Sequence, residues 1–190
     1  EDRNLVEEFK AAGYQYSDDF AAMNDLKQVP ALGLFAEVGL PYALDENPTR
    51  LTQMTTKALD LLDGQNDKGF FVMIEGSQID WCGHANDIAC AMGEMDDFAK
   101  SIEQAKAYVD KNPDTLLVIT ADHSTGGLTL GAHGQYKWET EVVKGVKATA
   151  GTITKALLES EDLKSVWQKY SDIEFTEANA IKLSEAKKMG

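Results

Sequence analysis

Apolar positions along this chain alternate between helical and strand spacing, and the switches mark its predicted elements. Leu5, Val6 and Phe9 mark a short helix that Gly13 ends, and Tyr14-Gln15-Tyr16 reads as a brief strand. Ser17 or Asp18 caps a second predicted helix carrying Phe20, Met23 and Leu26. Val29 to Phe35 reads as a buried strand entered through Pro30, and Gly39 to Tyr42 as a loop. Leu51 to Leu62 is amphipathic, with Met54, Ala58, Leu61 and Leu62 inward, and Gly69 to Ile74 is the next predicted strand. From Asn86 to Val109, apolar residues at Ile88, Met92, Met95, Phe98, Ile102, Ala105 and Val109 recur at steps of three and four, predicting one long helix that returns the chain to a strand at 115–120. After Gly131 the character changes: Thr152 to Leu158, Glu161 to Tyr170 and Glu177 to Lys188 read as helices with small apolar faces.

Strand, long helix, strand is a βαβ crossover, which places the C-terminal ends of two parallel strands at one sheet edge. The expected fold is therefore α/β, a mostly parallel sheet flanked by helices, with a helical C-terminal extension. The expected division is an α/β part over 1–131 and a helical insertion or cap over 132–190.

Just past the two strand-like runs, the residue types turn from apolar to ligand-forming. Glu75 to His84 lies after the first run and Asp122-His123 after the second, so two of the three histidines lie beside carboxylates where open α/β sheets gather ligands. Asp80 and His84 are four apart and share a face if Asp80 opens a helical turn. Asp122 and His123 are adjacent and can share a site only if the strand has ended, which the loop-forming Ser124-Thr125-Gly126-Gly127 permits. Imidazole with carboxylate suits zinc, and Glu75 is the candidate for the harder magnesium. Taken alone, Asp122-His123 also fits a helix-entry aspartate beside a surface histidine; the conjunction of both clusters favours metal. Trp81 is a rim aromatic or packs beside a bound phosphate, His133 reads as a loop histidine, and Thr120 and Ser124 as groups that orient ligands or satisfy the turn.

Composition narrows the partners. A chain of 190 residues, 43% apolar, can bury a core, and nothing approaches the roughly 18 apolar residues of a membrane span. The net charge of −14 argues against nucleic acid, which needs basic surface, and would repel anionic substrates unless bound cations reverse the local field. Cys82 and Cys90, eight apart across a segment expected to be mostly helical, would lie roughly 12 Å apart, beyond disulfide reach. Reduced buried thiols are the expectation.

The order Glu75-Gly76-Ser77-Gln78-Ile79-Asp80, then His84, then Thr120-Ala121-Asp122-His123 and Thr125-Gly126-Gly127-Leu128-Thr129 resembles the C-terminal part of bacterial alkaline phosphatases, from about Gly33 through Gly131. The resemblance implies two zinc ions and one magnesium: Glu75 on magnesium, Asp80 and His84 on the first zinc, Asp122 and His123 on the second. It implies phosphomonoester hydrolysis through a phosphoserine, phosphate monoesters as substrates, and a periplasmic or secreted location. A second copy of the chain, as a homodimer, is a further expected partner.

The family's nucleophilic serine lies in an Asp-Ser-Ala element, and no Asp-Ser pair occurs here; Ser17-Asp18 reverses the order. The bridging aspartate and phosphate-holding arginine that accompany that serine in the family, and the later histidine that completes the first zinc site, are not identified either. The catalytic set is therefore empty in this chain. With Glu1 in place of an initiator methionine, these gaps lead to the expectation of an internal segment of a longer enzyme, inactive by itself. The alternatives are a non-catalytic metal- or partner-binding module, or a sulfatase or phosphodiesterase of the same superfamily.

Overall fold

Short polar side chains set the first turns of the computed structural model, which describes residues 3–65, 67–131 and 134–189. Its contacts divide it into two units interleaved along the chain, the first drawn from the described residues of Glu1–Pro41, Arg50–Glu75 and Ala99–Val118, the second from those of Tyr42–Thr49, Gly76–Phe98 and Ile119–Gly190.

In the first unit, the Asn4 side chain accepts the Glu7 N–H at 3.3 Å and starts α1 (Leu5–Ala11). β1 (Gln15–Ser17) then pairs in parallel with β2 (Ala31–Gly33), Gln15 opposite Ala31. The helix expected around Phe20, Met23 and Leu26 is reduced to one 3₁₀ turn, Met23–Asp25. Local polar groups compete with it: Ser17 Oγ accepts the Asp19 N–H, Asp19 accepts the Ala21 N–H, and Gln15 Oε1 accepts both the Lys27 and Gln28 N–H. Met23 and Leu26 are buried all the same. α2 (Arg50–Leu62) forms where expected, its buried line running through Thr55 and Leu59 with Met54 and Ala58 half-buried beside it. Beyond its end, the Asp63 carboxylate accepts the Tyr108 hydroxyl at 2.6 Å, and the Phe70 ring packs on Tyr108 at 5.8 Å.

The two strands expected at 69–74 and 115–120 are extended, but among the described residues no ladder joins them to each other or to another segment. Their side chains keep the period of two that a strand has: Phe70, Val72, Ile74 and Leu117 are half-buried, whereas Phe71, Met73, Leu116 and Val118 are exposed. One face is covered and the other bare. A strand is completed by a neighbour's backbone, and composition alone cannot supply one. The observed parallel sheet is the two-stranded β1–β2 pair.

In the second unit a separate short helix, α3 (Gln78–His84), precedes the expected long helix, which begins as α4 (Ile88–Lys111) and belongs to that unit up to Phe98. Between them the Ala85 N–H bonds to the Trp81 carbonyl at 3.0 Å, Asn86 takes a left-handed φ of 52°, and Asp87 accepts the Cys90 N–H at 3.0 Å. This reversal brings Cys82 and Cys90 together as a disulfide with Cα atoms 5.4 Å apart, both residues buried. The expectation of reduced thiols fails here, because a rise of about 1.5 Å per residue separates them only along one continuous helix.

α5 (Thr140–Lys144) was not expected, while α6 (Ala150–Glu159), α7 (Leu163–Tyr170) and α8 (Glu177–Met189) fall where the apolar spacing predicts. Asp45 fixes the start of α6: its carboxylate accepts the Thr149 N–H and hydroxyl, each at 2.8 Å, and the Thr152 hydroxyl at 2.9 Å. The other oxygen of Asp87 accepts the Ala150 N–H at 2.6 Å, so one carboxylate caps α4 and also serves the first turn of α6, whose own cap is Thr149. Trp167 donates its ring N–H to the Ile173 carbonyl at 2.7 Å, closing the turn after α7. No helix among the described residues is long and apolar enough to cross a membrane.

Candidate metal centre

The two histidine–carboxylate pairs both lie in the second unit. On α3, His84 Nε2 and Asp80 Oδ2 are 3.5 Å apart, one helical turn apart on the same face. In the loop after 115–120, His123 Nε2 and Asp122 Oδ2 are also 3.5 Å apart. Two donors each about 2.0–2.1 Å from a tetrahedral zinc stand about 3.3–3.4 Å apart, so both pairs have the spacing of a coordination-tetrahedron edge. That spacing and the imidazole–carboxylate donor set fit zinc.

Each pair has a group that prepares it. His123 Nδ1 lies 3.3 Å from the Ser124 carbonyl, an acceptor that favours a proton on that nitrogen and leaves Nε2 on the side of Asp122. The His123 backbone N–H, with smaller help from Asp122's own N–H and the His123 ring, holds the Asp122 carboxyl below the usual aspartate range, keeping it anionic. On the first pair, the Thr125 hydroxyl donates to Asp80 Oδ1 at 2.5 Å. With Oδ1 engaged, the oxygen left for a cation is Oδ2, the one beside His84.

Thr125 reaches Asp80 because Gly83 has no side chain: a Cβ there would stand 2.9 Å from Thr125 Cβ. One hydrogen bond thus links the loop that follows Asp122-His123 to the helix bearing Asp80 and His84. Thr125 and Gly83 were not singled out in the sequence, where Thr120 and Ser124 were. Ser124 does orient His123 through its carbonyl, whereas the Thr120 hydroxyl turns to the Ala121 carbonyl at 3.3 Å. The signal available for Thr125 was a hydroxyl residue two positions after His123, which local spacing does not tie to Asp80.

Glu75 ends the extended segment 69–75 of the first unit with its side chain exposed. Trp81 is partly exposed, one position beyond Asp80 on α3. His133 lies outside the described residues. Among the described residues no group of three or more His, Cys, Asp or Glu side chains is arranged around one point, so each pair offers two ligands.

Comparison with known proteins bears on this arrangement. A family model described as alkaline phosphatase matches residues 1–188. Alkaline phosphatase 3 of Bacillus subtilis (strain 168) is 43% identical over 98% of this chain and 41% of its own length. The alkaline phosphatase of Escherichia coli (strain K12) is 34% identical over 64% of this chain and 32% of its own. Among solved structures, a cold-active alkaline phosphatase from a psychrophilic Shewanella sp. superposes with a TM-score of 0.93 at 44% identity, covering 98% of this chain and 47% of that one. The chain therefore spans less than half the length of these relatives.

Proposed function

The chain belongs to the alkaline phosphatase family, and from that premise we propose that it is the metal-holding portion of a longer phosphomonoester hydrolase. Asp80 and His84 hold one zinc, Asp122 and His123 a second, and Glu75 a magnesium. The observation that carries this reading is the pair of 3.5 Å carboxylate–imidazole edges joined by the Thr125–Asp80 hydrogen bond. When bound, the metals supply the positive charge on which phosphoryl transfer depends in a chain of net charge −14.

The chain's own residues then have distinct tasks. Thr125 orients Asp80, the Ser124 carbonyl favours a proton on His123 Nδ1, and Trp81 forms part of the rim against which a phosphate ester rests. The helices over 132–190 form a cap or insertion, anchored through Asp45 and Asp87 at the start of α6. The nucleophilic serine comes from a part of the enzyme outside these 190 residues, since no Asp-Ser-Ala element occurs here. The chain alone is accordingly inactive. The buried Cys82–Cys90 disulfide supports a periplasmic or secreted location, where such bonds persist.

Zinc titration of the full chain by calorimetry tests the reading. His84→Ala and His123→Ala each lose binding heat, whereas His133→Ala matches wild type. Undiminished binding by both of the first two variants, or loss confined to His133→Ala, refutes the assignment. With zinc and magnesium added, the chain hydrolyses an aryl phosphate no faster than its Glu75→Ala variant; metal-dependent turnover by the chain alone refutes the proposed absence of the nucleophile.

A further inference from the structure

The helix that presents Asp80 and His84 has little of its own to hold it. α3 is seven residues long, well below the length at which an isolated helix persists in water, and Ser77 at its start makes no side-chain capping bond. Its partner in sequence, α4, is 24 residues long and capped by Asp87. Cys82, fully buried, joins the two through its bond to Cys90 in the first turn of α4.

The placement of that bond on α3 is specific. Cys82 is two positions from Asp80 and two from His84, so at about 100° per residue it projects from the opposite side of the helix to both. The disulfide anchors the back of α3 to the longer helix while Asp80 and His84 occupy the front. At the front, the Thr125 hydroxyl fixes only one oxygen of Asp80 and does nothing for His84. The left-handed Asn86 in the connecting turn lies between His84 and the α4 cap, and the Asp87 N–H on the Cys82 carbonyl at 3.0 Å closes the turn that the disulfide then joins covalently.

We infer that the Cys82–Cys90 disulfide is a positioning element for the first metal pair: it holds the short α3 in helical form beside the start of α4 and thereby keeps the 3.5 Å Asp80–His84 edge. The inference rests on the zinc reading of the two pairs. It assigns the disulfide a role at the first pair, because the Asp122–His123 edge is set between adjacent residues of a loop that meets α3 through Thr125 and not through either pair's histidine. Removing it weakens zinc at Asp80 and His84 about tenfold, the range seen when groups that orient metal ligands are lost, and leaves the second pair unmoved.

The test measures zinc affinity of the full chain against a chromophoric chelator, with each pair isolated in turn. His123→Ala leaves the first pair and His84→Ala leaves the second; each is made with the disulfide intact and with Cys82→Ala plus Cys90→Ala. The expected result is an approximately tenfold loss on removing the disulfide from the His123→Ala chain, and no change in the His84→Ala chain. Hydrogen exchange on the same proteins should show faster exchange of the amides in 78–84 with those of 95–105 unaffected. Equal loss at both pairs overturns the inference in favour of a general stabilising role. No loss at either pair overturns it while leaving the zinc reading intact. If His84→Ala with the disulfide present binds zinc like wild type, the zinc reading fails and the inference with it. Should the alanine pair fail to fold by circular dichroism, Cys82→Ser plus Cys90→Ser, closer in shape, carries the same comparison.

Discussion

Replacing Gly83 by alanine sets two physical effects of opposite sign against each other. In helix α3 the substitution favours the helical state by about 1 kcal/mol from propensity alone. The new Cβ, however, would stand 2.9 Å from Thr125 Cβ and 3.4 Å from its Cγ2. Ordinary carbon–carbon contact lies at about 3.5–4.0 Å, so Thr125 retreats by roughly 0.6–1 Å. Its hydroxyl now lies 2.5 Å from Asp80 Oδ1. A retreat of that size takes the bond to the edge of hydrogen-bond geometry. A hydrogen bond to a charged group is worth about 1.5–3 kcal/mol, and since the Asp80 side chain is 38% exposed the loss is discounted to about 1 kcal/mol. This corresponds to a roughly fivefold loss of zinc affinity at the first pair. The expected result is a chain whose melting temperature is unchanged or slightly raised and whose zinc binding is weaker. Thr125→Val should reproduce the affinity loss without the thermal gain, and Thr125→Ser should retain affinity. Competition titration in the His123→Ala background, alongside thermal melts, reads both quantities. If Gly83→Ala and Thr125→Val bind zinc as tightly as wild type, the hydrogen bond does not orient Asp80 and the reasoning is wrong.

Asp87→Ala removes the α4 cap, at about 0.5–2 kcal/mol, together with the acceptor of the Ala150 N–H at the start of α6, and should lower the denaturation midpoint more than removal of a single cap by Asp162→Ala at α7; equal effects would show that Asp87 does not serve both helices. The Asp63 carboxylate that accepts the Tyr108 hydroxyl raises the Tyr108 pKa above its ordinary value of 10.0, so the contribution of this contact is fully present below that value and is lost as pH rises through the folded pKa. Ultraviolet difference titration against Tyr108→Phe should show this phenol ionising late and Asp63→Asn should bring it earlier; no movement would refute the contact. Lys144, through its hydrogen bond and charge, lowers the Glu141 pKa, so that contact is present above the unfolded carboxyl value and lost as pH falls through the folded one. Carboxyl chemical shifts should show Glu141 titrating at higher pH in Lys144→Ala than in wild type, and an unchanged midpoint would refute the pairing.

The two carboxylate–histidine pairs were legible in the sequence because their signal is local. Asp80 and His84 at a spacing of four, and Asp122-His123 ahead of a glycine-rich turn, announce themselves within a few positions, and the structure gives both pairs the same 3.5 Å edge. The α2 helix was readable from its apolar stripe, which reports the face it buries, and the three C-terminal helices formed where read although none of their residues is fully buried. Polar competition is less visible: the predicted helix at Phe20 to Leu26 gave way to turns made by Ser17, Asp19 and Gln15, groups whose alternative partners lie outside the helical pattern.

Tertiary structure decided everything that depends on two segments meeting. Thr125 finds Asp80 across 45 positions of sequence, and only because Gly83 leaves room for it. Cys82 and Cys90 read as separated thiols until the turn at Ala85 to Asp87 folded one helix back beside the other. Phe71, Met73, Leu116 and Val118 have the composition of buried strands and stand exposed, because the alternation of a strand is written in its own residues while the ladder that buries it belongs to a neighbour. Periodicity and ligand spacing are properties of one segment, and the sequence determined them; orientation, pairing and covalent closure are relations between segments, and those only the folded chain could fix.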